Sequence, residues 1–118
     1  MLYTEELLEH YRHPQNFGTL QSPTGKITLQ NPLCGDVITL AIEIKNGKIY
    51  SVAFEGKGCA ISTASASLLT GYIKGKKVEE LRNLSKKSTM DIVGFSVSPG
   101  RIKCLLLPFE ALKKILIA

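Results

Sequence analysis

The chain has 118 residues, 44% of them hydrophobic and 21% charged, with no Trp. That composition excludes a disordered chain and leaves enough apolar material for one ordinary core, so a single domain over 1–118 is expected. The formal charge of +5 is segregated: residues 1–30 carry two Lys/Arg against three Glu, residues 31–70 three of each sign, and residues 71–118 ten against four.

A basic C-terminal half can attract nucleic acid or an acidic protein. The chain has no RNP-like aromatic motif, no paired Cys/His finger spacing and no glycine-rich phosphate loop, so nucleic acid is not an expected partner. Met1 is followed by the acidic, amphipathic LYTEELLEHY, which is unlike a signal peptide. The longest uncharged stretch, GCAISTASASLLTGYI, is too short and too rich in Ser and Thr to span a bilayer, so no membrane association is expected. Three cysteines make a poor disulfide framework and point to reduced thiols in the cytoplasm.

In chain order, YTEELLEHYR (3–12) places Tyr3, Leu7, Leu8 and Tyr11 on one helical face, with Thr4 as the cap and His13-Pro14 as the stop. His10 and His13 read as surface residues of this helix. PQNFGTLQSPTG reads as an extended loop. Three strands follow, at 26–31, 37–45 and 48–56, and Asn46-Gly47 joins the last two as a tight hairpin. CAISTASASLLTGYIKG reads as a helix with Ile61, Leu68 and Tyr72 on one face and with Ala64, Ser65 and Ala66 small enough for close packing against the sheet; Gly71 leaves its end open. KVEELRNL (77–84) is a short amphipathic helix, and SKKSTMDIVGFSVSPG reads as loop with a weak helical turn. In the tail, Leu105, Phe109, Leu112 and Leu116 recur at helical spacing, and Pro108 must kink that helix or begin another. The order predicts an α+β fold: a three-stranded antiparallel sheet with helices packed mainly on one face.

The cysteines fall at Cys34, Cys59 and Cys104, with no local CxxC clip. In the predicted sheet, the loop before the second strand and the loop after the third lie at the same end, opposite the hairpin. Topology therefore brings Cys34 and Cys59 together, and Cys104 needs only a helix start packed over that edge. Asp36, two residues from Cys34 in extended chain, shares its face. Three sulfurs and a carboxylate suit tetrahedral zinc, or an iron–sulfur cluster with one oxygen ligand. Gly35 and Gly58 remove bulk beside two of the thiols. Cys104, followed by three leucines, also fits a small core hydrophobe. Arg101 and Lys103 form a basic helix start that would lower the pKa of the Cys104 thiol. A cysteine hydrolase does not fit, for want of a placed His.

Four pieces, YTEELLEHYRHPQNFG, NPLCGD, GKGCAISTASASLLTGYIKGK and RIKC, together resemble the iron–sulfur cluster assembly scaffold family of the IscU, SufU and NifU N-terminal type. The resemblance covers nearly the whole chain and implies a SufE/NifU-like fold. It also implies a non-enzymatic scaffold that builds a transient [2Fe–2S] cluster and passes it to apo-acceptor proteins. Sulfur would come from a cysteine desulfurase, with an iron donor and a ferredoxin as further partners, and the chain would act as a monomer or weak homo-oligomer. It implies Cys34, Asp36, Cys59 and Cys104 as ligands of the cluster or of zinc, and Cys104 as the persulfide acceptor. Two departures stand out. Lys103 occupies the position where many IscU proteins have His, and SVSPGRIKC replaces their Leu-Pro-Pro-Val-Lys segment; Arg-x-Lys-Cys resembles SufU instead. Yet the 45 residues from Cys59 to Cys104 leave no room for the SufU insertion. The alternative implied is a SufU-type zinc-dependent sulfurtransferase.

Overall fold

Alternating β-branched and apolar residues across 25–57 build the sheet from which everything else is positioned. The computed structural model describes residues 4–32, 35–95 and 97–117. Strands β1 (Gly25–Gln30), β2 (Val37–Lys45) and β3 (Lys48–Lys57) form an antiparallel sheet in the order β1-β2-β3. The hairpin is as expected: Asn46 (φ 54°) and Gly47 (φ 74°) both adopt the left-handed conformation that a primed two-residue turn demands. Register then fixes the faces. Ile38, Leu40 and Ile42 alternate inward and are at most 4% exposed, while Thr28 and Thr39 meet on the other face through hydroxyls 2.8 Å apart.

Helices cover the inward face. Helix α2 (Ala60–Ile73) packs on β3, and α5 (Ile102–Leu116) packs on β1, β2 and α2. Helix α1 (Glu5–Arg12), capped by Thr4 Oγ1 accepting from Leu7 N–H (3.1 Å), lies on α2. The expected tail positions Leu105, Phe109, Leu112 and Leu116 are all buried, and α5 runs continuously through Pro108.

Three expectations change. Helix α2 runs through Gly71 to Ile73, with the end of the Gln15 side chain beside Gly71. Its buried surface is Ile61, Ala64, Ser65, Leu69 and Ile73, whereas Tyr72 is 39% exposed and Leu68 only half-buried. The segment after residue 84 is no loop: α4 (Lys86–Val93) is a full helix, with Ser85 as N-cap and Gly94 (φ 77°) as a left-handed C-cap. His10 is also drawn in, its Nδ1 lying 2.7 Å from Ser67 Oγ.

The outer edge of β3 is covered twice. Residues 16–18 run beside Phe54, with Phe54 N–H donating to Asn16 O (3.0 Å) and Gly18 N–H to Phe54 O (2.8 Å). Residues 75–78, leading into α3 (Val78–Arg82), cover the start of the same strand. An edge so occupied offers no template for pairing with another chain.

Candidate metal centre

The end of the sheet opposite the hairpin gathers the chemistry. Asp36 immediately precedes β2, whose first residue Val37 pairs with Lys57 at the end of β3, and Cys59 follows two residues later as N-cap of α2. Cys104 sits in the first turn of α5. The carboxylate oxygen of Asp36 and the sulfurs of Cys59 and Cys104 all lie within 4.8 Å of one another. Asp36 and Cys104 are buried, at 4% and 2% exposure, and Cys59 is half-buried. Cys104 is therefore part of the core and a member of this group at once.

Asp36 organises the group before any ion arrives. Its Oδ1 accepts from the Cys59 backbone N–H (3.1 Å), and its Oδ2 lies 3.6 Å from Cys59 Sγ. The carboxylate thus sits at the N-terminus of α2, where the helix dipole favours negative charge. The turn that delivers it is closed by Asn31 N–H to Asp36 O and Gly35 N–H to Asn31 O, each 2.8 Å. Cys34 lies outside the described residues.

Two serines of α2 support the arrangement: Ser65, expected to pack closely because it is small, and Ser62, not singled out in the sequence. Ser62 Oγ donates to Cys59 O (3.2 Å) and lies 3.9 Å from Cys59 Sγ. Ser65, fully buried, donates to Leu105 O at 2.6 Å and so fastens the start of α5 to α2. The signal for Ser65 in the sequence is its small size, while for Ser62 it is only polarity on a helix position that an apolar neighbourhood would bury. Gly58 has a steric reason: a Cβ there would collide with Ser62 Oγ and press on Asp36. Arg101 ends the short 3-10 turn Pro99–Arg101, and Lys103 is exposed beside Cys104, where it lines a cleft with Pro32, Leu107 and Glu110.

The donor set fits a thiophilic ion. Ligands on one tetrahedral zinc lie roughly 3.5–3.8 Å apart, so the three donors need close by only about 1 Å to share a metal. Sulfur with one carboxylate suits zinc or iron and is wrong for magnesium or calcium, which prefer all-oxygen shells.

The fold and site define a class: a small α+β domain in which two cysteines and one aspartate, Cys59, Cys104 and Asp36, converge at one end of the sheet. Residues 2–117 match the family model for the NifU-like N-terminal domain, and the chain belongs to that family. It is 36% identical to a zinc-dependent sulfurtransferase SufU of Bacillus subtilis (strain 168), over 96% of this chain and 88% of that one. It is equally 36% identical to an iron–sulfur cluster assembly scaffold protein IscU of Buchnera aphidicola subsp. Baizongia pistaciae, over 96% of this chain and 91% of that one. Among solved structures, the iron–sulfur cluster assembly scaffold protein for the SUF system from Fervidobacterium islandicum AW-1 superposes with a TM-score of 0.82 at 28% identity, covering 97% and 96% of the two chains. The alignment to the Bacillus relative spans 130 positions, more than this chain has residues, whereas that to the Buchnera relative spans 117. The chain thus lacks residues that the Bacillus relative carries.

Proposed function

We propose that the chain is a scaffold on which an iron–sulfur cluster of the [2Fe–2S] type is assembled and from which it is passed to apo-acceptor proteins. The observation that carries this reading is the convergence of Asp36, Cys59 and Cys104 within 4.8 Å at the rim of the sheet. In this reading Cys34, whose neighbours Gly35 and Asp36 shape that rim, supplies the fourth ligand. Cys104 accepts sulfur: its thiolate attacks the outer sulfur of a desulfurase persulfide, forms the new S–S bond and releases the desulfurase thiolate. Two electrons from a ferredoxin-type donor reduce that sulfur to sulfide, which iron from a donor protein captures. Arg101 and Lys103 favour the attacking thiolate. Asp36 is the labile ligand, because a hard oxygen grips thiophilic iron less firmly than a fourth thiolate. The setting for this work is the cytoplasm; among the described residues no helix is long and apolar enough to cross a membrane.

A second reading has its own support. The same donors fit zinc, and the Bacillus relative at 36% identity is named a zinc-dependent sulfurtransferase. There the four residues would hold zinc, which keeps their thiols deprotonated, and the chain would carry persulfide sulfur without building a cluster.

One experiment separates them. Zinc-stripped protein is incubated anaerobically with a cysteine desulfurase, cysteine, reductant and ferrous iron, and its visible spectrum is recorded. A [2Fe–2S] spectrum that passes to apo-ferredoxin is the expected result. A colourless protein that retakes zinc tightly and accelerates the desulfurase would establish the sulfur relay instead.

A further inference from the structure

Several Lys and Arg residues of segment 71–118, Lys76, Lys77, Arg82, Lys113 and Lys114, collect at the hairpin end of the molecule, away from the cysteines. Ile49 N–H donates to Lys76 O (2.9 Å), Gly75 N–H to Ile49 O (2.8 Å) and Val78 N–H to Gly47 O (2.9 Å). These bonds lay residues 75–78 along the start of β3, with Lys48 and Lys77 paired across them. Arg82, at the end of α3, then donates from Nε to Leu116 O (3.2 Å). That bond draws the last turn of α5, with Lys113 and Lys114, to the same pole.

Two shallow clefts meet at Arg82. One is lined by Asn46, Lys48, Lys77 and Val78, the other by Lys113, Leu116 and Ile117. Lys48, Lys77, Arg82, Lys113 and Lys114 are all exposed, and among the described residues none lies within ion-pair distance of a carboxylate. Glu79 is the one carboxylate lining either cleft. Five cations held this close repel one another, a cost relieved when an anionic surface covers them. Ile117, 83% exposed, adds an apolar seat in their midst.

We infer that this basic pole docks an acidic protein segment, one whose Asp and Glu side chains meet the five cations while an apolar side chain seats on Ile117. The apolar seat favours protein over nucleic acid. No aromatic ring lines either cleft for base stacking, and the nearby Tyr50 and Tyr72 rings are already covered by Lys45 and Lys76 ammonium groups at 3.9 Å and 4.8 Å. Cys104 and Lys114 are ten residues apart on one helix, about 15 Å along its axis, so a partner held here leaves the cysteine end open. The inference stands on the charge layout alone and survives if the cluster reading fails.

The test is fluorescence anisotropy on the full chain with three labelled probes of equal length: a Glu/Leu peptide, a Glu-only peptide and single-stranded oligothymidine. The Glu/Leu peptide should bind most tightly and weaken as salt rises. Lys77→Glu with Arg82→Glu, and separately Lys113→Glu with Lys114→Glu, should each weaken it about tenfold or more, with far-ultraviolet circular dichroism unchanged. Lys113→Gln with Lys114→Gln, a gentler pair, should weaken it by a smaller factor. Lys57→Glu, at the other end of β3, should change it by less than about twofold. Tighter binding of oligothymidine, equal binding of the Glu-only peptide, an equal loss in Lys57→Glu, or no binding of the Glu/Leu peptide at low salt would each overturn the proposal.

Discussion

Replacing Ser65 with Ala tests how the core holds Cys104 in place. Pro108 has no N–H, so the Cys104 carbonyl four residues earlier loses its helical donor, and the proline ring crowds that turn of α5. The next carbonyl, Leu105 O, is held from outside by Ser65 Oγ at 2.6 Å, in a site with no solvent exposure. Removing the hydroxyl withdraws one donor from a buried carbonyl that keeps its place in the helix, which costs about 1 kcal/mol. A domain of this size has roughly 6–18 kcal/mol of stability, so the variant folds. With a urea dependence of about 1–3 kcal/mol per molar, the unfolding midpoint should fall by about 0.5 M. Because Ser65 links the helix bearing Cys59 to the helix bearing Cys104, zinc affinity should fall as well, by about 10–100-fold, as for other groups that orient metal ligands. Urea titration and competition against a zinc chelator read the two effects separately. A midpoint shifted by less than about 0.3 M, together with unchanged zinc affinity, would refute the idea that this hydrogen bond positions Cys104.

Asp36→Ala should slow cluster transfer to an apo-acceptor several-fold and also lower stability by about 1–3 kcal/mol, since the Cys59 N–H loses its buried acceptor. Transfer that stays unchanged or accelerates would remove Asp36 as the labile ligand. Cys104→Ser should abolish persulfide labelling of the chain by a desulfurase, read by mass spectrometry of alkylated peptides; label persisting on Cys34 or Cys59 contradicts the assignment. Gly58→Ala should leave helix content intact but weaken zinc binding by at least about tenfold, because the added methyl displaces Ser62 and presses on Asp36. Unaltered zinc affinity in that variant would mean that the Asp36–Cys59 spacing is not what the ion reads.

Local chemistry made much of this architecture readable in advance. Asn46-Gly47 sets its turn through two left-handed residues, and a two-residue turn sets the register of the strands it joins. Once β2 and β3 are a hairpin, the residues before one and after the other must share an end, so Asp36 and Cys59 meet as a consequence of topology. The heptad-like spacing of α5 likewise named its core face. Helix α4 was hidden for an equally local reason: only Thr89 and Val93 of its eight residues are buried, so its apolar pattern is faint, and its caps define it more than its face does.

Other features belong to packing between distant segments. Helix α2 is buried on nearly every side, so periodicity could not say which residues meet the sheet, and Tyr72, expected inside, lies outward. The two coverings of the β3 edge, by residues 16–18 and 75–78, are backbone bonds between stretches with no complementary sequence signal. Ser65 gained its role only when α5 arrived 40 residues later to present the Leu105 carbonyl. The sequence by itself determined the strands, the hairpin and which end of the sheet Asp36 and Cys59 share, because turn chemistry and side-chain period act over a few residues. Only the tertiary structure decided that Cys104 stands within 4.8 Å of Asp36 and Cys59, because that depends on how α5 docks against α2 and the sheet. The gathering of Lys48, Lys77, Arg82, Lys113 and Lys114 at one pole has the same origin, since charges far apart in the chain become neighbours only when the core closes.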